Sequence, residues 1–301
     1  MASLKNPLVS IIVNCYNGEQ YLRKTLQSIA DQTYINWELI FWDNQSIDNS
    51  KKIFLEFKDD RFKYFFAPNH TVLPIARNKA VEKSNGQIIA FLDTDDWWIS
   101  DKLEKQIIYF RDEKVGLVHS NLYLFYENTN KKKIFQKKKI RSGFITKDLC
   151  KKYNIAITTA IVRKEAYNLA AGFSSKYKLI ADFDLFIRLS INWKIVSIYK
   201  CLAYYRIHNK NWSHLNPDVE ANELEDWIGD KKIISNKNLN PYLHYIHRRL
   251  NFLKTKRYIK EGKLAKALTN IILKPMGFNK LKLIVRIILP KNIFKKFEFY
   301  R

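Results

Sequence analysis

Residues Ile88–Trp98 read IIAFLDTDDWW, and this stretch decides the fold. A short, wholly apolar run stops abruptly at Asp93, Asp95 and Asp96. A run of that length and purity is a buried strand, and its C-terminal end delivers carboxylates. The Asp–x–Asp spacing puts Asp93 and Asp95 on one side of an extended backbone. Hard divalent cations take oxygen ligands and bridge to substrate phosphates, so the spacing points to a nucleotide diphosphate carried on a metal ion. The same residues also fit an acidic turn closing a strand, with Asp96 as the N-cap of the next helix.

Working outward, strands and helices alternate. Leu8–Val13 is a buried-strand run, followed by the turn Asn14-Cys15-Tyr16-Asn17-Gly18, with Asn17 expected as a helix N-cap. Tyr21, Leu22, Thr25, Leu26 and Ile29 then form one helical stripe. Trp37–Trp42 is a second strand, ended by Asp43-Asn44-Gln45-Ser46. A helix through Lys52–Phe57 and a third strand at Phe62–Phe66 follow. Ile75–Lys83 is helical, and Gly86 breaks it before the fourth strand, Gln87–Leu92. Ser100 is the expected cap of a helix running to about Arg111. This alternation predicts a mostly parallel α/β sheet flanked by helices, with ligands bound outside the carboxyl ends of the strands.

Beyond Gly116 the pattern is less regular. Leu117–Glu127 reads as a strand. Seven basic residues between Lys131 and Arg141 read either as a lysine-rich edge strand, whose charge blunts the edge, or as a loop near an anionic acceptor. Ala181–Ile191 is an amphipathic helix with Asp182 in its first turn, where a carboxylate suits the helix dipole.

Composition bounds the partners. Hydrophobic residues make up 47% of the 301, enough for a sizeable core. Cys15, Cys150 and Cys201 are odd in number and widely spaced, which argues for a reducing compartment and against structural zinc. The apolar run near the N-terminus is too short for a cleavable leader, and no stretch approaches the ~18 apolar residues of a spanning helix. The net charge of +24 is segregated: residues 231–301 carry +17 and residues 1–230 only +7. The expected division is therefore a folded domain over 1–230 and a basic, mainly helical extension over 231–301. In the extension, apolar clusters at Leu268–Leu273, Leu281–Leu289 and Ile293–Phe299 are broken by lysines and arginines, a composition suited to an anionic membrane surface. A polyanion-binding protein using the basic tail is the alternative, but no DNA- or RNA-reading motif is present and no nucleic-acid partner is expected.

Four motifs in register carry a family resemblance. They are residues 9–50 (VSIIVNCYNGEQYLRKTLQSIADQTYINWELIFWDNQSIDNS), residues 75–98 (IARNKAVEKSNGQIIAFLDTDDWW), KLIADFDLFIRLS, and AYYRIHNKNWS. Over about residues 8–213 the chain resembles family 2 glycosyltransferases. The resemblance implies the GT-A nucleotide-diphospho-sugar transferase fold, a Mn²⁺ or Mg²⁺ cofactor and inverting transfer from a nucleotide-sugar donor, with a UDP-sugar favoured. It implies a glycan or lipid-linked saccharide acceptor, and a cytoplasmic enzyme peripheral on the inner face of the cell membrane. Carried over, Tyr16 and Asn17 line the base pocket, Asp43 binds uracil or ribose, and Arg77 helps hold the nucleotide. Asp93 and Thr94 contact the donor, Asp95 is the main metal ligand, and Asp182 is the general base. His208 resembles a late histidine that reaches the metal or diphosphate, though a lone histidine also fits a structural role. Ala181 stands where the family often has Glu, a departure that bears on acceptor preference. A nucleotidyltransferase on the same sheet is a further alternative, but the turn NCYNGEQ lacks the glycine-rich phosphate loop such enzymes often carry.

Overall fold

The computed structural model describes residues 6–209, 211, 217–276 and 283–284. The chain divides into two compact units, Met1–Asn211 and Trp212–Arg301.

The first unit is built on one nine-stranded sheet. In chain order its elements are β1 (Val9–Cys15), α1 (Glu19–Ala30), β2 (Trp37–Asp43), α2 (Ser50–Leu55), β3 (Phe62–Phe66), α3 (Leu73–Glu82) and β4 (Ile88–Phe91). There follow β5 (Trp97–Trp98), α4 (Lys102–Ile107), β6 (Val115–Tyr126), β7 (Lys131–Ile134), α5 (Thr146–Lys151), β8 (Ile161–Arg163), α6 (Lys164–Leu169), α7 (Ala181–Asn192) and β9 (Lys194–Ile207). The strand order is β3-β2-β1-β4-β8-β6-β9-β5, with β7 paired to β6.

Strands β1 to β4 pair in parallel, as the alternation predicts. Strands β1, β2 and β4 are buried on both faces because helices cover both, and Val9, Ile11, Ile12, Leu39, Ile40, Ile88 and Ile89 are all buried, while β3 at the end of the strand order is partly exposed. Past β4 short antiparallel strands join this mostly parallel sheet. The short β8 inserts antiparallel between β4 and β6, and β5 and β7 also pair antiparallel, so the sheet is mixed. Strand β6 runs parallel to β9 but with register shifts around Asn121. The Asn121 side chain takes over the missing ladder bonds there: its amide donates to Gln136 O at 2.9 Å and its Oδ1 accepts from Gln136 N at 3.1 Å.

Two expected caps are corrected. Gly18, not Asn17, precedes α1, because Asn17 adopts a left-handed φ of +52° and turns its amide oxygen to Ile47 N–H. Asp101, not Ser100, precedes α4, and Asp96 leads into β5 rather than a helix.

The second unit is helical: α8 (Pro217–Gly229), α9 (Lys231–Ile234), α10 (Leu243–Lys260) and α11 (Leu264–Leu273). The acidic α8 belongs with the basic α10, through Glu220–Arg249 and Glu225–Lys254 ion pairs. The charge boundary at 230/231 therefore lies inside this unit. Ala267 and Ile271 of α11 are buried, while Leu264, Leu268, Ile272 and Leu273 are exposed. Among the described residues no helix is long and apolar enough to cross a membrane. The apolar clusters expected at Ile293–Phe299 and over most of Leu281–Leu289 lie outside the described residues.

Candidate active site

Polar residues gather where β1, β2 and β4 end together. The loops after β1 and β2 hold each other: Asn17 N–H donates to Ser46 Oγ at 3.0 Å, and Gly18 N–H to Ser50 Oγ at 3.0 Å. Gly18 has no room for a side chain, since a Cβ would stand 2.9 Å from Cys15 Sγ and 3.2 Å from Thr94. Asp43 is buried at the end of β2, where its carboxylate accepts from Ser46 N–H at 2.7 Å and from the Tyr64 hydroxyl at 2.6 Å. Burial and that carboxylate push the Tyr64 phenol far above its usual range, so it remains a donor. Tyr16 is 55% exposed, its ring 4.4 Å from His70, which leaves an aromatic face open beside the Asp43 loop.

Arg77, on α3, is buried and donates to Asp93 Oδ1 at 2.6 Å. Thr94 is fixed through its carbonyl, which accepts from the Thr25 hydroxyl at 2.8 Å. Asp96 is the most buried of the three acids. Burial pushes its carboxyl well above the usual carboxylate range, and the neighbouring Asp95 and Asp93 charges add to this. It accepts the main-chain N–H of Arg206 at 2.9 Å.

Asp95 meets a residue from the far end of the unit. Its Oδ2 lies 3.1 Å from His208 Nε2. Arg206, two residues before that histidine, donates through Nε to Asp95 O at 2.9 Å, so the end of β9 is clamped to the Asp95–Asp96 turn. The Arg206 guanidinium is sandwiched over Tyr21 and Trp97, 4.3 and 4.8 Å from their ring centres. Tyr21 donates to Glu127 at 2.8 Å; burial first, then Glu127, raises its phenol to about 12. Asn211 accepts from His208 N–H at 2.7 Å and orders the turn after the strand.

The Asp95–His208 pair fits a divalent ion. Two cis ligands of an octahedral ion with bonds of ~2.1 Å stand about 3 Å apart, the spacing found here. Among the described residues no third His, Cys, Asp or Glu joins them, so diphosphate and water oxygens would complete the shell. Without an ion, the same spacing is a hydrogen bond.

Asp182 is half-buried in the first turn of α7. It accepts from the Tyr153 hydroxyl at 3.1 Å and from Phe183 N–H at 2.8 Å. The nearby Asp184 is buried and bound to Arg188 at 2.6 Å, whose guanidinium also donates to the carbonyls of Ala170 and Gly172. Asp184 is thereby committed to structure.

The structure thus joins Asn17 to the Asp43 loop, Arg77 to Asp93, and Asp95 to His208. Sequence reasoning missed Arg206, Tyr21, Glu127, Tyr153 and Asn211. Arg206 had a signal, its place two residues before His208, but Tyr153 had none.

A sheet of this order, with an acidic turn closing its fourth strand, has the GT-A fold. Residues 10–168 match the family described as Glycosyl transferase family 2, and the chain belongs to it. Two Escherichia coli proteins are similar along most of their length. Both are named UDP-Glc:alpha-D-GlcNAc-diphosphoundecaprenol beta-1,3-glucosyltransferase. WfgD is 35% identical over 226 residues, 74% of this chain and 86% of the relative. WfaP is 30% identical over 229 residues, 75% of this chain and 85% of the relative. The fold is shared with Staphylococcus aureus TarS in complex with UDP-GlcNAc, with a TM-score of 0.61, 16% identity, and 87% and 88% of the two chains covered. It is shared too with the Pyrobaculum calidifontis mannosyltransferase PcManGT in complex with GDP-Man and Mn²⁺, with a TM-score of 0.61, 17% identity, and 96% and 88% covered.

Proposed function

We propose that this glycosyltransferase moves a sugar, with inversion, from a UDP-sugar to a hydroxyl of a lipid-diphosphate-linked saccharide, with Mn²⁺ or Mg²⁺ held by Asp95 and His208. The observation that carries the reading is the convergence of Asp95 and His208 at 3.1 Å beside the Arg77–Asp93 pair. The E. coli relatives, by name, use UDP-Glc and a diphosphoundecaprenol-linked acceptor.

Each residue has a task. Tyr16 offers an open ring to the base, and Asn17 and Asp43 shape the loop that holds base and ribose. Arg77, bound to Asp93, fixes that carboxylate toward the donor, and Thr94 lines the floor between the two acids. A bound divalent ion supplies charge stabilisation to the departing nucleoside diphosphate. Asp182 accepts the proton of the acceptor hydroxyl as it attacks the anomeric carbon. A single displacement needs one base. A retaining route would need a second, nucleophilic carboxylate, and Asp184 is bound to Arg188 instead.

The second unit supports contact with the anionic inner face of the membrane. Lys263, Lys266 and Lys274 surround the exposed Leu264, Leu268 and Ile272 of α11, and such a face binds lipid interfaces.

The test is donor hydrolysis by purified protein over UDP-, GDP- and TDP-sugars with Mn²⁺, Mg²⁺ or EDTA. One donor releasing nucleoside diphosphate only with metal supports the reading. A nucleotidyltransferase would instead release inorganic diphosphate from a nucleoside triphosphate and a sugar 1-phosphate, which are supplied in a parallel reaction.

A further inference from the structure

The lysine-rich segment after β7 is not explained by the donor site. No acid occurs between Asn128 and Lys147, while Lys131, Lys132, Lys133, Lys137, Lys138, Lys139, Arg141 and Lys147 do. Lysines on β7 blunt that edge, but Lys137, Lys138, Lys139 and Arg141 lie beyond β7 and extend the single-sign block past the strand. Lys137, Lys138, Lys139 and Arg141 are exposed, and among the described residues none of them pairs with a carboxylate.

The segment is nonetheless pinned in place. Gln136 is bound by main chain to the buried Asn121. Lys137 O accepts from the Tyr199 hydroxyl at 2.9 Å. Ser142 Oγ accepts from Ser197 N–H at 2.9 Å, and Gly143 bridges Ile195. Lys138–Arg141 is therefore a short exposed strap between two anchors.

The anchors lead to the base. Gln136 Nε2 donates to Asn154 O at 2.6 Å, and Asn154 Nδ2 donates back to Gln136 Oε1 at 3.3 Å. Asn154 follows Tyr153, whose hydroxyl is bonded to Asp182. Lys151 and Lys152, both exposed, immediately precede Tyr153. A cationic strap is thus tied, through two side chains, to the group that would take the acceptor's proton.

We propose that Lys137–Arg141, with Lys151 and Lys152, binds the diphosphate of the acceptor and so sets its sugar hydroxyl against Asp182. The inference rests on the acceptor class proposed above. Lysines suit the task, as mobile point charges that follow a diphosphate without demanding one fixed geometry.

The test uses the full chain in neutral detergent. A fluorescent short-chain alkyl diphosphate and a neutral alkyl glycoside are titrated into the protein and into Lys137→Ser/Lys138→Ser/Lys139→Ser. Lys58→Ser/Lys83→Ser/Lys114→Ser, which removes the same charge elsewhere, is the control. The strap variant should bind the alkyl diphosphate at least about tenfold more weakly, with neutral-glycoside affinity and UDP-sugar hydrolysis unchanged. The control should bind as wild type. Equal diphosphate affinity in strap variant and wild type overturns the proposal, as does an equal loss in the control. Phosphatidylglycerol vesicles without detergent are a third probe, and a loss confined to them overturns the proposal in favour of a membrane contact. Absence of nucleotide-sugar hydrolysis by the wild type is a separate failure, that of the proposed function itself.

Discussion

His208 Nε2 stands 3.1 Å from Asp95 Oδ2, across a sequence separation of 113 residues. The contact is made by two strand ends, and Arg206 bonds to Asp95 and Asp96 to hold them together. Asp95→Ala should lower metal-dependent nucleoside diphosphate release by about a thousandfold, the scale of losing a main stabiliser of transition-state charge. His208→Ala should weaken Mn²⁺ binding by at least about tenfold. Mn²⁺ titration followed by electron paramagnetic resonance reads the second effect without turnover. Unchanged Mn²⁺ affinity in both variants would remove these residues from the metal site.

Asp182→Asn should lower the transfer rate by about 10²–10⁴-fold, the range for a positioned general base, while donor affinity is kept. Tyr153→Phe removes one hydrogen bond to that carboxylate and should cost about tenfold. Steady-state kinetics with separate donor-binding measurements distinguish the two. Equal losses of binding and rate in Asp182→Asn would mean a structural role instead.

Gly86 lies tight against the start of β1. A Cβ there would stand 2.6 Å from Leu8 O, Ser10 N and Ser10 Oγ. Two of these are main-chain atoms of a central strand and cannot move aside. Gly86→Ala should therefore destabilise the first unit by about 2–3 kcal/mol. Thermal denaturation followed by circular dichroism checks this, and an unchanged midpoint would contradict the close approach.

Acid should unfold the protein in two stages. His119 is fully buried in β6 with neither ring nitrogen hydrogen-bonded, and burial lowers its pKa from 6.5 to about 4. The unfolded imidazole takes a proton first, so this contribution is intact above pH 6.5 and is lost as the pH falls toward 4, by about 3 kcal/mol. Glu38 is buried too. Burial opposes its charge, but Lys63, Ser10 and Asn85 outweigh it and hold the carboxyl at about 2. Its contribution is intact above the ordinary value of 4.5 and falls by a similar amount toward pH 2. His119→Leu should flatten the first stage and, by removing two unsatisfied polar atoms, add about 1–2 kcal/mol at neutral pH. Glu38→Gln should flatten the second. Denaturant titrations at several pH values decide this, and identical slopes in His119→Leu and wild type would refute the first assignment.

The parallel half of the fold was legible because its strands are short, largely apolar runs separated by helix-length segments. The antiparallel half was not. Strand β8 has three residues and β5 two, too few to establish a period of two, and their places in the sheet depend on partners far along the chain. The cap at Asn17 failed for a related reason. Asn17 had a tertiary partner in Ile47 N–H that outbid the local helix end.

The same division runs through the site. Asp93, Asp95 and Asp96 at the end of an apolar run, the acid opening α7, and the separation of charge between the two parts of the chain are local properties, written in consecutive residues. Which groups face each other is not local. Arg77 against Asp93, Arg206 clamping Asp95 to His208, and Gln136 against Asn154 near Asp182 all depend on strand order and register. Those are set by burying the sheet as a whole, so only the tertiary structure could turn a set of polar residues into the Asp95–His208 pair, Asp182 with its tyrosine, and a cationic strap tied to them through Gln136 and Asn154.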